Sequence, residues 1–325
     1  MKPMTNNILV VTLSNFGDVI LTTPVIMALA KKYPEARITV VVGPRARSVL
    51  QSSPDIHKIV IYDKKAPLRE KLKFIAELRR AKYDRVVDLR NTAIPFLVSC
   101  QKPSPLFRKF TKVNMRDRHL EMLFAVEGDI PQGSIFRFFN AKDEVFAMRA
   151  LEAANIQEKR DWVLVAPGAA TERKRWPVEY FTEVIRTLHQ RTGKKILLAG
   201  TLAERPVAEK IAAELSGVAG VICGDLTFPE TASLVAKAAL VIANDSALMH
   251  LGFELGTPTV GIFGPTDHEK YGHEGPRFRI ARGDAEQCSC ESHKLHRAER
   301  SCFHGLGPEK VIELSLELLN AHHSS

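Results

Sequence analysis

Short apolar runs alternate along this chain with stretches whose apolar positions recur at helical spacing. The first run, 8–13, opens Ile8-Leu9-Val10-Val11, as expected of a strand buried on both faces. The spacing then predicts a helix over 18–32, ended at Tyr33-Pro34 because proline cannot continue the hydrogen-bond ladder. Strands are predicted at 38–42, 59–62 and 85–89. A charged amphipathic helix is predicted at 68–81, and helical patterns recur at 119–126 and 143–154. The second half restarts the pattern. Strands are expected at 162–166, 195–199, 240–243 and 259–263, and helices at 178–191, 203–215, 228–238, 247–255 and 308–319. Pro308 sits at a favourable first-turn position. Strands that alternate with helices imply parallel sheets with crossover helices. The expectation is α/β: two Rossmann-like, doubly wound domains facing a cleft. They divide at a linker near 155–160 into 1–156 and 157–325, with the last helix a candidate to cross back onto the first domain.

The length, 325 residues, suits two such domains, and 45% hydrophobic with 26% charged residues is globular. A net charge of +9 favours anionic partners, although a merely soluble basic surface gives the same number. No apolar run reaches the roughly 18–20 residues that cross a bilayer. The run at 8–11 is too short for a signal-peptide core and lacks a small-residue cleavage pattern. The chain therefore reads as cytoplasmic, with contact at the inner face of a membrane as a further expectation. Five cysteines, an odd count, fit free thiols in a reducing compartment.

The residues that carry chemistry cluster where predicted strands end. Val241-Ile242-Ala243-Asn244-Asp245-Ser246 runs straight into a helix-like stretch. Asp245 and Ser246 can each cap that helix through a short side chain, and its free N–H groups suit phosphate. Open α/β sheets hold ligands at this end. His250 lies one turn beyond Ser246 and faces either the same ligand or the core. Ser14-Asn15-Phe16-Gly17-Asp18 is the first strand-to-helix turn. Gly17 permits close approach or positive φ. Asp18 either caps the helix or takes a proton from a sugar hydroxyl. The loop 167–177 brings Arg173, Lys174 and Arg175 to a strand end beside Gly168, Ala169 and Thr171. It reads as a diphosphate-binding loop or as a solvated basic loop. Glu204 either accepts from a ribose diol or complements a helix dipole.

Cys288, Cys290, His293, His296, Cys302 and His304 form a loose cluster whose spacing matches no zinc pattern. No Gly-x-Gly-x-x-Gly and no Walker loop is present, which weakens NAD and ATPase readings. Arg85, Arg90, Lys102, Arg108, Lys109, Arg116 and Arg118 crowd the late first half without interleaved aromatic signatures, which speaks against nucleic acid.

Together the motifs resemble glycosyltransferase family 9, the ADP-heptose:lipopolysaccharide heptosyltransferases, nearly end to end. The resemblance rests on Ser14-Asn15-Phe16-Gly17-Asp18-Val19, on Pro167-Gly168-Ala169 with Lys174-Arg175-Trp176-Pro177, and on Asn244-Asp245-Ser246-Ala247-Leu248-Met249-His250 with Phe263-Gly264-Pro265-Thr266. It implies a GT-B fold and inverting, metal-independent transfer. The donor it implies is ADP-L-glycero-D-manno-heptose, and the acceptor is a Kdo or heptose hydroxyl on an anionic lipid A-linked core. Asp18 matches the general base and Lys174 the lysine on the donor phosphates. On this reading Asp18 and Lys174 are catalytic, and no cofactor or metal is expected. Donor binding falls to Thr171, Lys174, Glu204, Asp245, Ser246, Ala247, Met249 and His250. Acceptor binding falls to Ser14, Asn15, Gly17 and Arg90. Ala247 departs from the pattern where many relatives carry glycine, and Leu248 where many carry proline. The alternatives are a GT-B epimerase or hydrolase using another nucleotide-sugar, and a non-catalytic nucleotide-sugar binding module.

Overall fold

The computed structural model describes residues 6–131, 135–153, 162–215, 217–283 and 303–321. The chain forms two compact units, Met1–Asn140 and Ala141–Ser325. No helix among the described residues is long and apolar enough to cross a membrane.

The first unit is built on five parallel strands: β1 Asn7–Val11, β2 Arg37–Val42, β3 Lys58–Ile61, β4 Tyr83–Asp88 and β5 Cys100–Pro103. Their order is β3-β2-β1-β4-β5. Strand β1 lies between β2 and β4, and its apolar residues 8–11 are all buried, which is why the run is continuous rather than alternating. The order reverses between β1 and β4. The loops that leave these two strands therefore flank the crevice where doubly wound sheets hold ligands.

The helix expected over 18–32 is two helices, Phe16–Ile20 and Thr23–Lys32. Pro24 is the cause. It has no N–H for the carbonyl of Ile20, and its ring crowds that group. The Thr23 hydroxyl donates to Ile20 O instead, at 2.7 Å, and the Thr22 hydroxyl donates to Val19 O at 2.6 Å.

The second unit carries six parallel strands: β6 Trp162–Ala166, β7 Lys195–Leu198, β8 Ala219–Val221, β9 Leu240–Asn244, β10 Thr259–Phe263 and β11 Phe278–Arg282. The order is β11-β10-β9-β6-β7-β8. Its reversal lies between β6 and β9, again placing two loops at a switch point. The core gathers Val163, Val165, Phe181, Ile185, Leu188, Ile196, Ile242 and Ile262.

One boundary differs from the sequence reading. The units divide at Asn140/Ala141 rather than 156/157, because the helix Ala141–Ala153 packs on Phe228–Lys237 and Lys237 pairs with Glu144. The expected linker at 155–160 lies outside the described residues. The last helix, Pro308–Ala321, packs against the helix Val178–Thr192 and strands β9 to β11 of the second unit. Strands β5, β8 and β11 were not expected; each is short or partly exposed, so none shows the continuous apolar signal of a central strand.

Candidate active site

In the first unit, β1 delivers residues 12–18 to the carboxyl end of the sheet. Asn15 holds the position before the helix Phe16–Ile20, and no side chain caps that helix. Asp18 is thus not a cap. Its Oδ2 accepts a hydrogen bond from Asn15 Nδ2 at 2.9 Å, while Oδ1 accepts none among the described residues. Gly17 lies inside the same helix and is not left-handed, so the positive φ allowed from sequence is not used. Ser14 packs on Gly43: a Cβ at 43 would sit 2.6 Å from Ser14 Cβ, so glycine there lets the loops after β1 and β2 touch.

Strand β4 contributes Arg90. Asp88, buried at the strand end, accepts from Arg90 N at 2.8 Å, from Thr92 N at 2.6 Å and from the Thr92 hydroxyl. Burial pushes the Asp88 carboxyl up, against the pull of those bonds. The Arg90 guanidinium lies 5.5 Å from the Tyr62 ring centroid. Sequence reasoning passed over Asp88, although one acid closing an apolar run was the available signal.

His119 is a second residue missed. It is buried, and its Nδ1 lies 3.0 Å from Leu21 O, which assigns the proton to Nδ1. Its Nε2 is buried with no hydrogen-bond partner among the described residues. Burial lowers its pKa, against the Leu21 bond and the charge of Asp18. The cavity lined by Asn7, Arg37, His57, Lys58, Glu77 and Tyr83 lies at the amino ends of β1 to β4, the opposite end from Asp18.

In the second unit, the loop after β6 and the end of β9 converge. Lys174 Nζ donates to Asp245 Oδ2 at 2.7 Å, and His250 Nε2 stands 3.5 Å from Asp245 Oδ1. Burial works to raise the Asp245 carboxyl, but His250 and Lys174 outweigh it and hold the group well below the usual carboxylate range. An ammonium has three donors, so two on Lys174 remain for an anion.

Ser246 occupies the cap position of the helix Ala247–Leu255, yet its side chain makes no cap bond. The capping expected of Asp245 and Ser246 is therefore not made. Asp245 faces Lys174 instead, and the first N–H groups of the helix have no side-chain cap. Ser246 Oγ and His250 Nδ1 are both buried without partners among the described residues. Met249 is buried against Gly261, where a Cβ would meet its sulfur at 2.7 Å, so Met249 offers a ligand backbone rather than side chain.

Asn244 holds these pieces together, a role the sequence reading did not assign. Its Nδ2 donates to Pro167 O at 2.7 Å and its Oδ1 accepts from Trp176 N at 3.1 Å. The loop that carries Lys174 is thereby pinned at both ends to β9. Thr171 is exposed at the start of the short turn Glu172–Lys174, whose last N–H bonds Thr171 O. Arg175 donates to Ala169 O rather than reaching beside Lys174. Glu204 caps its own turn through Thr201, which donates from N at 2.7 Å and from its hydroxyl at 2.8 Å, both to Oε2. The other oxygen, Oε1, lies over Gly168, where a Cβ would be only 2.0 Å away. Of the two sequence readings of Glu204, the Thr201 bonds describe the acid at the start of a helix. Cys288, Cys290, His293, His296 and Cys302 lie outside the described residues.

The profile of Glycosyltransferase family 9 (heptosyltransferase) matches residues 111–301 of the chain. Lipopolysaccharide heptosyltransferase 3 of Escherichia coli is 29% identical over 279 residues, spanning 78% of this chain and 82% of its own length. The solved family 9 glycosyl transferase of Veillonella parvula superposes with a TM-score of 0.81 at 22% identity, covering 98% of this chain and 99% of its own. The E. coli heptosyltransferase WaaC, solved with ADP, gives 0.73 at 20% identity over 96% of this chain and 99% of its own. The shared fold is GT-B, with two parallel-sheet α/β units. Over half of the chain carries the family profile, and the chain belongs to glycosyltransferase family 9, a family of heptosyltransferase enzymes.

Proposed function

We propose that this enzyme transfers heptose from ADP-L-glycero-D-manno-heptose to a Kdo or heptose hydroxyl of the lipopolysaccharide inner core, with inversion and without a metal. The reading rests on family membership, on relatives named as lipopolysaccharide heptosyltransferases, and on the ADP carried by the solved WaaC. The observation that carries the mechanism is the Asn15–Asp18 pair at the switch point of the first sheet. Asn15 orients the carboxylate through one oxygen and leaves the other to accept a proton.

In this mechanism Asp18 removes the acceptor hydroxyl proton as the oxygen attacks the anomeric carbon. The new C–O bond forms on the face opposite ADP. The bond to the diphosphate oxygen breaks, and ADP leaves with its electron pair. Negative charge grows on that oxygen, and Lys174 with the uncapped N–H groups of Ala247–Leu255 offsets it. Asp245 is an anion and would repel phosphate, so its part is to aim Lys174.

The test incubates the full chain with ADP-heptose, with and without a lipid A-Kdo acceptor, in EDTA. Acceptor-dependent heptosyl product with inverted anomeric configuration is expected. Donor breakdown without acceptor would indicate a hydrolase or epimerase, absence of reaction a binding module, and rescue by Mg²⁺ a metal-dependent enzyme.

A further inference from the structure

The short helix that carries Asp18 ends in a break, and buried side chains close that break. In an unbroken helix Leu21 O would accept from Val25 N. Val25 N bonds Thr22 O at 3.1 Å instead. The hydroxyls of Thr22 and Thr23 serve Val19 O and Ile20 O from within the same segment. Leu21 O is served from outside, by His119 Nδ1 at 3.0 Å. His119 stands on the helix Met115–Glu127, which packs on Thr23–Lys32 and on β4. Thr22, Thr23 and His119 are all buried.

Two observations set His119 apart from a residue that only fills space. Its unpartnered Nε2 is a buried polar atom that costs stability, a cost that leucine at this position would avoid. The Asp18 carboxylate is also close enough for its charge to act on the ring. A costly polar group beside a candidate base points to a role in the reaction rather than in packing.

We propose that His119 is a positioning residue for the transfer reaction: its bond to Leu21 O fixes the angle at which the helix Phe16–Ile20 leaves the break, and with it the place of Asp18 Oδ1. The proposal rests on the reading of Asp18 as the base. Leu21 lies about one helical turn after Asp18, so play at its carbonyl reaches the carboxylate. A misplacement of about 1 Å at a reacting group can cost about 10²-fold in rate. Asn15 steers the carboxylate from the start of the helix, and His119 steadies the helix from its end. Thr22 and Thr23 cannot replace His119, because their bonds stay inside the segment and tie it to no neighbour.

Steady-state kinetics of the full chain with ADP-heptose and a lipid A-Kdo acceptor test it, on variants shown to be folded by circular dichroism and assayed well below their melting temperatures. In His119→Leu, which lacks the donor, kcat should fall about tenfold or more. Its donor KM and its Kd for ADP should stay within about twofold of wild type. His119→Asn sets an amide nitrogen where Nδ1 stands and should recover most of kcat. Where His119→Leu does not fold, His119→Gln replaces it; its amide reaches the Nε2 position instead, and kcat should fall in the same way. A merely structural histidine would lower the melting temperature and leave kcat of the folded protein unchanged, and that result overturns the proposal. A kcat that His119→Asn does not restore, or a donor KM that rises as kcat falls, overturns it too. Asp18→Asn separates the two readings. If it is active, the base is misassigned and the proposal falls with it; if it is inactive while His119→Leu turns over as wild type, only the role of His119 is overturned.

Discussion

Lys174 and Asp245, 71 residues apart in sequence, meet through a 2.7 Å hydrogen bond at the switch point of the second sheet. Asp245 is buried and Lys174 is partly exposed, so the carboxylate is fixed and the ammonium reaches outward. Removing Lys174 leaves Asp245 with His250 alone. Lys174→Ala should lower kcat/KM for donor by about 10² and, discounted for solvent screening of the lysine, cost about 1–2 kcal/mol of stability. Donor kinetics and urea unfolding check both, and an unchanged kcat/KM would remove Lys174 from the site.

Asp18→Asn keeps the shape and the Asn15 contact region but removes the base. Turnover should fall by about 10²–10⁴ while ADP binding stays near wild type. Single-turnover kinetics with calorimetry of ADP binding separates the two quantities. A wild-type kcat would assign the proton transfer elsewhere.

Asn244 makes its two bonds where no water reaches. Asn244→Ala strands Trp176 N and Pro167 O, at a cost of about 1–3 kcal/mol, seen as a lower unfolding midpoint. Asn244→Asp should be no better, because it sets a carboxylate oxygen against Pro167 O. If Asn244→Ala melts with wild type, the loop is held by other means.

His119 gives the first unit a pH dependence. Its folded pKa lies below the ordinary value near 6.5, so the unfolded chain binds the proton more readily. Its contribution to stability is complete above that value and is lost as pH falls through the depressed folded pKa. Melting at pH 7.5 and 5.5 should show a loss on acidification that His119→Asn reduces. Parallel losses in both proteins would place the titration elsewhere.

The central strands were legible because burial on both faces writes itself as continuous apolar runs, as in Ile8-Leu9-Val10-Val11 and Leu240-Val241-Ile242. The edge strands β5, β8 and β11 were not, since an edge tolerates polar and small residues such as Gln101, Lys102 and Gly220. The helix break was written in Pro24 but was overridden by helical spacing on either side. Site residues were legible as types at strand ends. Their wiring was not, because Asn244 to Trp176 and Lys174 to Asp245 depend on which strands become neighbours. The early end of the first unit at Asn140 likewise follows from a helix docking on a partner far along the chain.

Trp176 does more than fill the core. Its indole N–H donates to Leu306 O at 3.1 Å, just after Gly305 turns the chain at φ +72 and just before the last helix. The cationic loop is thereby moored to the C-terminal tail as well as to Asn244. Shortening the protein before residue 306 would cut that mooring, so a truncation remote from Lys174 in sequence would slacken the ammonium it carries.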